Sequence, residues 1–79
     1  MLKTQIKLVK TQINRLKIVL VERQRKSKWL AQQINKDVST ISQWCTNSRQ
    51  PSLESLLKIA QVLEVDIREL LIPTKRDIN

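Results

Sequence analysis

The chain contains no glycine, no histidine, no tyrosine and no phenylalanine, and a single cysteine among 79 residues. Without glycine it cannot form the Gly-rich loops of P-loop or dinucleotide-binding folds, where backbone must approach phosphate closely. Lacking histidine, and with Cys45 alone, it has neither an internal disulfide nor a Cys/His zinc site nor a Cys-His catalytic pair. No cofactor or metal is expected. Trp29 and Trp44 are the only aromatics, too few for platforms that stack single-stranded bases. The longest apolar run, Ile18-Val19-Leu20-Val21, falls far short of the roughly 20 residues of a membrane span and of a signal-peptide core. The expected setting is cytoplasmic, without membrane contact. Acids are scarce, and the two in suggestive places, Asp37 and Glu69, read as helix-capping groups, so no enzyme is expected.

Fifteen Lys and Arg outweigh seven Asp and Glu, for a net charge of +8. The excess is uneven. Residues 1–50 hold eleven basic and two acidic side chains, whereas residues 51–79 hold four and five. One end of the chain therefore favours a polyanion, and the shortage of stacking aromatics points to duplex nucleic acid.

Helical periodicity dominates. Leu2, Ile6, Val9, Ile13, Leu16 and Leu20 recur at intervals of four and three, the spacing of a helical seam that would make one long first helix. The polar stretch Glu22 to Lys26 ends it. A second helix follows over residues 28–34 with Leu30, Ala31 and Ile34 inward; Lys26 or Ser27 stands at its start, Ser27 being the better chemical cap. Asn35 tolerates left-handed backbone and stops that helix. Asp37 caps a third helix, from Val38 to about Thr46, whose inward face is Ile41, Trp44 and Cys45. Trp29 and Trp44 read as core, and Cys45 as an inert small hydrophobe. Asn47 terminates the third helix, and Ser52 caps a fourth with Leu53, Leu56, Leu57, Ile59, Ala60 and Leu63 on its apolar side. Asp66 and Glu69 resemble a capping box opening a fifth helix that Pro73 halts.

The informative unit is two helices joined by the very short turn Asn35-Lys36-Asp37, which implies a steep crossing as in a helix-turn-helix. The later helix of such a pair enters the major groove. Its outward side chains suit base edges: Gln43 can bond adenine, Ser39 and Ser42 donate or accept, and Val38 meets a thymine methyl. Ser27 and Lys28 before it, and Asn47, Ser48 and Arg49 after it, are the candidate phosphate contacts. Val65, Ile67, Leu70 and Ile72 are candidates for a subunit contact, because apolar residues are dense there for so small a core.

The spaced motifs Leu30-Ala31-x-x-Ile34-Asn35, Ile41-Ser42 and Pro51-Ser52-Leu53-Glu54-x-Leu56-Leu57-x-Ile59-Ala60-x-x-Leu63-x-Val65 resemble the lambda-repressor-like, Xre/Cro-type helix-turn-helix domain over residues 14–72. The resemblance implies an all-α, five-helix domain, here with an N-terminally extended first helix over residues 1–13 and a flexible tail over 73–79. It implies base reading by Val38, Ser39, Thr40, Ser42 and Gln43, and phosphate clamping by Ser27, Lys28, Asn47, Ser48 and Arg49. It further implies a bacterial or phage transcriptional regulator that acts as a homodimer on a palindromic operator of double-stranded DNA. The family also contains antitoxins, so the alternative is a protein-interaction module whose partner is a toxin or similar protein. Three positions depart from the family, one of them Asn47, which stands where a glycine usually follows the third helix. An acid common at the place of Cys45 and an arginine near Leu20 are both apolar here, and packing is expected to replace their ion pair. Residues 1–13 lie outside the resemblance and could support a dimer or the core, lie along an anionic surface, or have no role.

Overall fold

Every helix in this glycine-free chain must stop without the residue that most readily stops one, and a computed structural model, which describes residues 12–75, shows how. Helix α1 spans Leu16–Glu22, α2 Ser27–Ile34, α3 Val38–Cys45 and α4 Leu53–Leu63, followed by a one-turn 3-10 helix, Ile67–Leu70. Each of the four α-helices is followed by a non-glycine residue in left-handed conformation: Gln24, Asn35, Asn47 and Glu64, with φ between 58° and 61°. In each case the next backbone N–H reaches five residues back, as in Arg25 to the Leu20 carbonyl, Lys36 to Ala31, Ser48 to Gln43 and Val65 to Ala60. This is the Schellman closure, which satisfies carbonyls that the helix end leaves free. Asparagine adopts the left-handed state at little cost, whereas glutamine and glutamate do so against a penalty of roughly 1–2 kcal/mol.

The core gathers one face of every element. Leu16, Val19 and Leu20 of α1, Leu30, Ala31 and Ile34 of α2, Ile41 and Trp44 of α3, and Leu56, Ile59, Ala60 and Leu63 of α4 are buried around Leu70. The i, i+3, i+4 spacing of these residues is what places them on one stripe of each helix. Helix α2 packs chiefly on α3 and α4, and the 3-10 helix closes on α4 and α1.

Several sequence expectations need correction. The first helix does not run on from residue 2 through Leu20; it begins at Leu16. Residues 13–15 are instead tied to 70–72 in a short antiparallel bridge: the Arg15 N–H donates to the Leu70 carbonyl and the Ile72 N–H to the Ile13 carbonyl, both at 2.8 Å. Asn14 breaks the seam because its Oδ1 accepts from the Leu16 N–H at 2.9 Å, a bond that competes with helix and favours a helix start. Residues 1–11 and 76–79, and with them most of the expected extension and tail, lie outside the described residues. The fifth helix is a 3-10 turn, opened by Asp66 Oδ1 accepting from the Arg68 N–H at 2.8 Å rather than by a full capping box. Ser27 is the first residue of α2 and not its cap, which is Lys26. Asp37 occupies the cap position of α3 but its carboxylate makes no capping hydrogen bond. Ser52 caps α4 as the sequence indicates, accepting from the Ser55 N–H at 3.0 Å.

Candidate nucleic-acid interface

Helix α3 is amphipathic, and the core claims only one side of it. Ile41 and Trp44 are buried and Cys45 is half-buried, which turns Val38, Ser39, Ser42, Gln43 and Thr46 outward, with Thr40 at the margin. Among the described residues, the side chains of Ser39, Ser42 and Gln43 have no hydrogen-bond partner, so each can serve an outside group. The N-terminus of α3 is held by backbone alone: the Asp37 carbonyl accepts from the Thr40 and Ile41 N–H groups at 3.0 and 3.2 Å. At the other end the Gln43 carbonyl is the anchor. It accepts from the Ser48 and Arg49 N–H groups and from the hydroxyls of Thr46 and Ser48, all at 3.0–3.2 Å. These bonds fold the Ser48-Arg49 segment back over the last turn of α3, leaving both residues exposed beside its polar face.

Beneath that segment lies a buried polar network that sequence reasoning missed. Asn47 Oδ1 accepts from the N–H groups of Ile13 and Asn14 at 2.8 and 3.0 Å and from Gln50 Nε2 at 3.0 Å. Its Nδ2 donates to the Asn14 carbonyl at 3.1 Å. Asn14 returns the contact, donating from Nδ2 to the Trp44 carbonyl at 3.0 Å and to Gln50 Oε1 at 2.8 Å. Asn14 and Asn47 are the only buried polar residues described. Asn47 is 7% exposed and its amide is engaged inside the protein through both Oδ1 and Nδ2, so its side chain is withdrawn from the expected phosphate contacts. Its role is to hold the α3–α4 loop against the chain segment that precedes α1.

The remaining predicted phosphate residues sit on the two flanks of α3. Lys28 and Arg49 are exposed and form no ion pair among the described residues. Ser27 is half-buried, its Oγ 3.8 Å from Cys45 Sγ. Both line an open cleft of about 360 Å³ between α1, the start of α2 and the end of α3. Lys17, Arg25 and Lys26 line the same cleft with Ser42 and Thr46, and no acidic residue does. The structure thus brings three further cations to the edge of the polar face of α3. For Arg25 and Lys26 the sequence signal was the basic run from Arg23 to Lys28. Arg25 is steadied by the Trp29 ring, whose centroid lies 4.2 Å from its guanidinium carbon. Leu20 is buried in the core and Cys45 is packed against it, at the two places where packing was expected to replace an ion pair. Both also line the cleft, and burial pushes the thiol up, against the smaller opposing effects of Ser27 and Lys17.

The four residues expected at a subunit contact differ in their burial. Leu70 has no exposed surface, since its side chain is the centre onto which the helices pack. Val65 and Ile67 are half-buried against the core, and Ile72 is half-buried beside Ile13. The apolar side chains that do face outward on α4 are Leu53 and Leu57, both expected to be core.

A family model described as helix-turn-helix matches residues 17–70, which takes in α2 to α4, the 3-10 turn and all but the first residue of α1. The chain belongs to the lambda-repressor-like helix-turn-helix family. This helix-turn-helix chain is also similar to the crystal structure of a candidate DNA-binding protein from Bacteroides fragilis. The two share 50% identity over 78% of this chain and all of that one, with a TM-score of 0.76. No curated protein matches it. In family terms α2 and α3 are the two helices of the motif, and Asn35 to Asp37 is its turn. No described helix is long and apolar enough to cross a membrane, and no three described His, Cys, Asp or Glu residues cluster as metal ligands would.

Proposed function

We propose that the chain is a sequence-specific, duplex-DNA-binding transcriptional regulator that acts as a homodimer on a palindromic operator, by occupancy and without catalysis. The observation that carries the reading is the outward face of α3, whose Ser39, Ser42 and Gln43 side chains have no partner among the described residues and stand beside a cleft whose charged lining residues are all cations. A polar side chain left free on a helix edged by positive charge is suited to base edges, while the charges meet phosphates. Val38, Ser39, Thr40, Ser42 and Gln43 form the reading face. Lys28, Ser48 and Arg49, joined by Ser27, Lys17, Arg25 and Lys26 at the cleft, bind the flanking backbone. Membership in the helix-turn-helix family and similarity to a candidate DNA-binding protein support the same reading.

Repeated selection of bound duplexes from a randomised pool tests it. The outcome expected is a two-fold-symmetric sequence whose half-sites lie about one helical turn apart. Retention of all duplexes alike would reject base reading.

A further inference from the structure

Helix α4 supplies Leu56, Ile59, Ala60 and Leu63 to the core, yet on its other side it carries two leucines one turn apart in water: Leu53 is 73% exposed and Leu57 49%. An exposed leucine pair on one helix face costs solubility and does nothing for the core, so it calls for a partner surface. Glu54 and Lys58 lie next to the two leucines, also four residues apart and exposed. Among the described residues neither is engaged in an ion pair, with each other or with any other group.

This pattern is self-complementary. Across a two-fold axis, if residue i meets residue j, then j meets i. Two antiparallel copies of α4 that set Leu53 against Leu57 of the partner subunit have their axis beside Ser55. Setting Glu54 against Lys58 of the partner subunit puts the axis beside Leu56, one residue away. One docking therefore satisfies both pairings within a single residue of register, each made twice. The other exposed apolar pair, Ile18 and Val21 on α1, has no such match. The one acid of that helix, Glu22, already meets Arg15 of the same chain at 3.9 Å, so two copies of α1 meeting there would confront Lys17 and Arg23 with no acid of α1 free to offset them.

We infer that the exposed Leu53–Leu57 face of α4 is the contact between two copies of this chain, in antiparallel register, with Glu54 and Lys58 as the matching charges. The inference rests on the homodimer reading above and names its surface in place of Val65, Ile67 and Ile72. It also fits DNA reading, because α4 starts just beyond the loop that closes α3. An axis at α4 sets the two loops close to it and the two reading helices on either side.

Sedimentation equilibrium of the full chain at micromolar concentration, without DNA, tests the surface. Glu54→Lys and Lys58→Glu should each weaken self-association about tenfold or more, since every cross-axis attraction becomes a repulsion and appears twice. An equimolar mixture of the two variants should associate as tightly as the parent, because the introduced lysine then faces the introduced glutamate. Circular dichroism should be unchanged, as both side chains are exposed. A mixture that associates no better than either variant alone would overturn the register. A dimeric parent indifferent to both variants and to Leu57→Lys, but dissociated by Val65→Lys, would overturn the surface while leaving the homodimer standing. A parent that is monomeric both free and on its selected duplex would remove the homodimer reading and this inference together.

Discussion

Replacing Asn47 by alanine should destabilise the domain far more than its place in a surface loop suggests. The substitution removes four side-chain hydrogen bonds, three accepted by Oδ1 and one donated by Nδ2. The N–H and carbonyl of Asn14 lie buried beneath it, where water cannot take over. A buried polar group left without a partner costs about 1–3 kcal/mol. Alanine must in addition hold the left-handed conformation of φ 61° that Asn47 adopts, at roughly 1–2 kcal/mol. Together these effects give a loss of about 3–5 kcal/mol, a large part of the roughly 5–10 kcal/mol that a domain of this size possesses. Urea denaturation followed by circular dichroism measures it. Asn47→Gly separates the two contributions, since glycine restores the backbone freedom and not the hydrogen bonds; it should be milder than alanine by about 1 kcal/mol. A loss below about 1 kcal/mol for Asn47→Ala, with glycine no different, would refute the argument that this amide ties the α3–α4 loop to residues 13 and 14.

Other consequences can be checked on the same protein. Gln24→Gly and Glu64→Gly should each stabilise by about 0.5–1 kcal/mol, because the left-handed strain removed exceeds the added freedom of the unfolded chain; a lowered melting temperature for both would contradict the helix-closure account. Alkylation of Cys45 should be slower in the folded protein than in urea at mildly alkaline pH. Burial raises the folded thiol above its unfolded value, so its contribution to stability is intact below the ordinary thiol range and is lost as pH climbs through the raised value. Equal alkylation rates, folded and unfolded, would count against it. Arg49→Ala should weaken binding to every duplex alike and shallow the logarithmic salt dependence by about one unit. An unchanged slope would place Arg49 away from phosphate.

How far the sequence reveals the fold depends on what each residue's neighbours contribute. The inward stripes of α1, α2 and α3 were legible because their periodicity is local, and so was the left-handed turn at Asn35, since asparagine advertises that conformation. Gln24 and Glu64 gave no such sign. They take the left-handed state because the next segment must turn back onto the core, a tertiary demand that overrides residue preference. The break before α1 was hidden for a similar reason: Ile13 and Leu16 continue the seam, and only the pairing of residues 13–15 with 70–72 shows that the chain is extended there. Leu53 and Leu57 fit a helical apolar face as well as Leu56 and Ile59 do, and periodicity alone cannot tell which side of a broad stripe meets the core. At the candidate site, the polar face of α3 followed from spacing. The committed amide of Asn47 and the gathering of Lys17, Arg25 and Lys26 around Ser27 required contacts across more than one helix.

The central claim, that the outward face of α3 reads bases, is tested most directly by the specificity ratio of Gln43→Ala. Gln43 is exposed with its amide free, and a bidentate amide contact to a base contributes about 1–3 kcal/mol of discrimination, or roughly 5–150-fold. Competition gel shifts between the selected operator and variants at each base pair should show that the substitution relaxes preference at one symmetric pair of positions, with affinity for unrelated duplex unchanged. If preference at every position survives intact, α3 does not read bases through Gln43; if binding to all duplexes falls by the same factor, that side chain serves only the backbone.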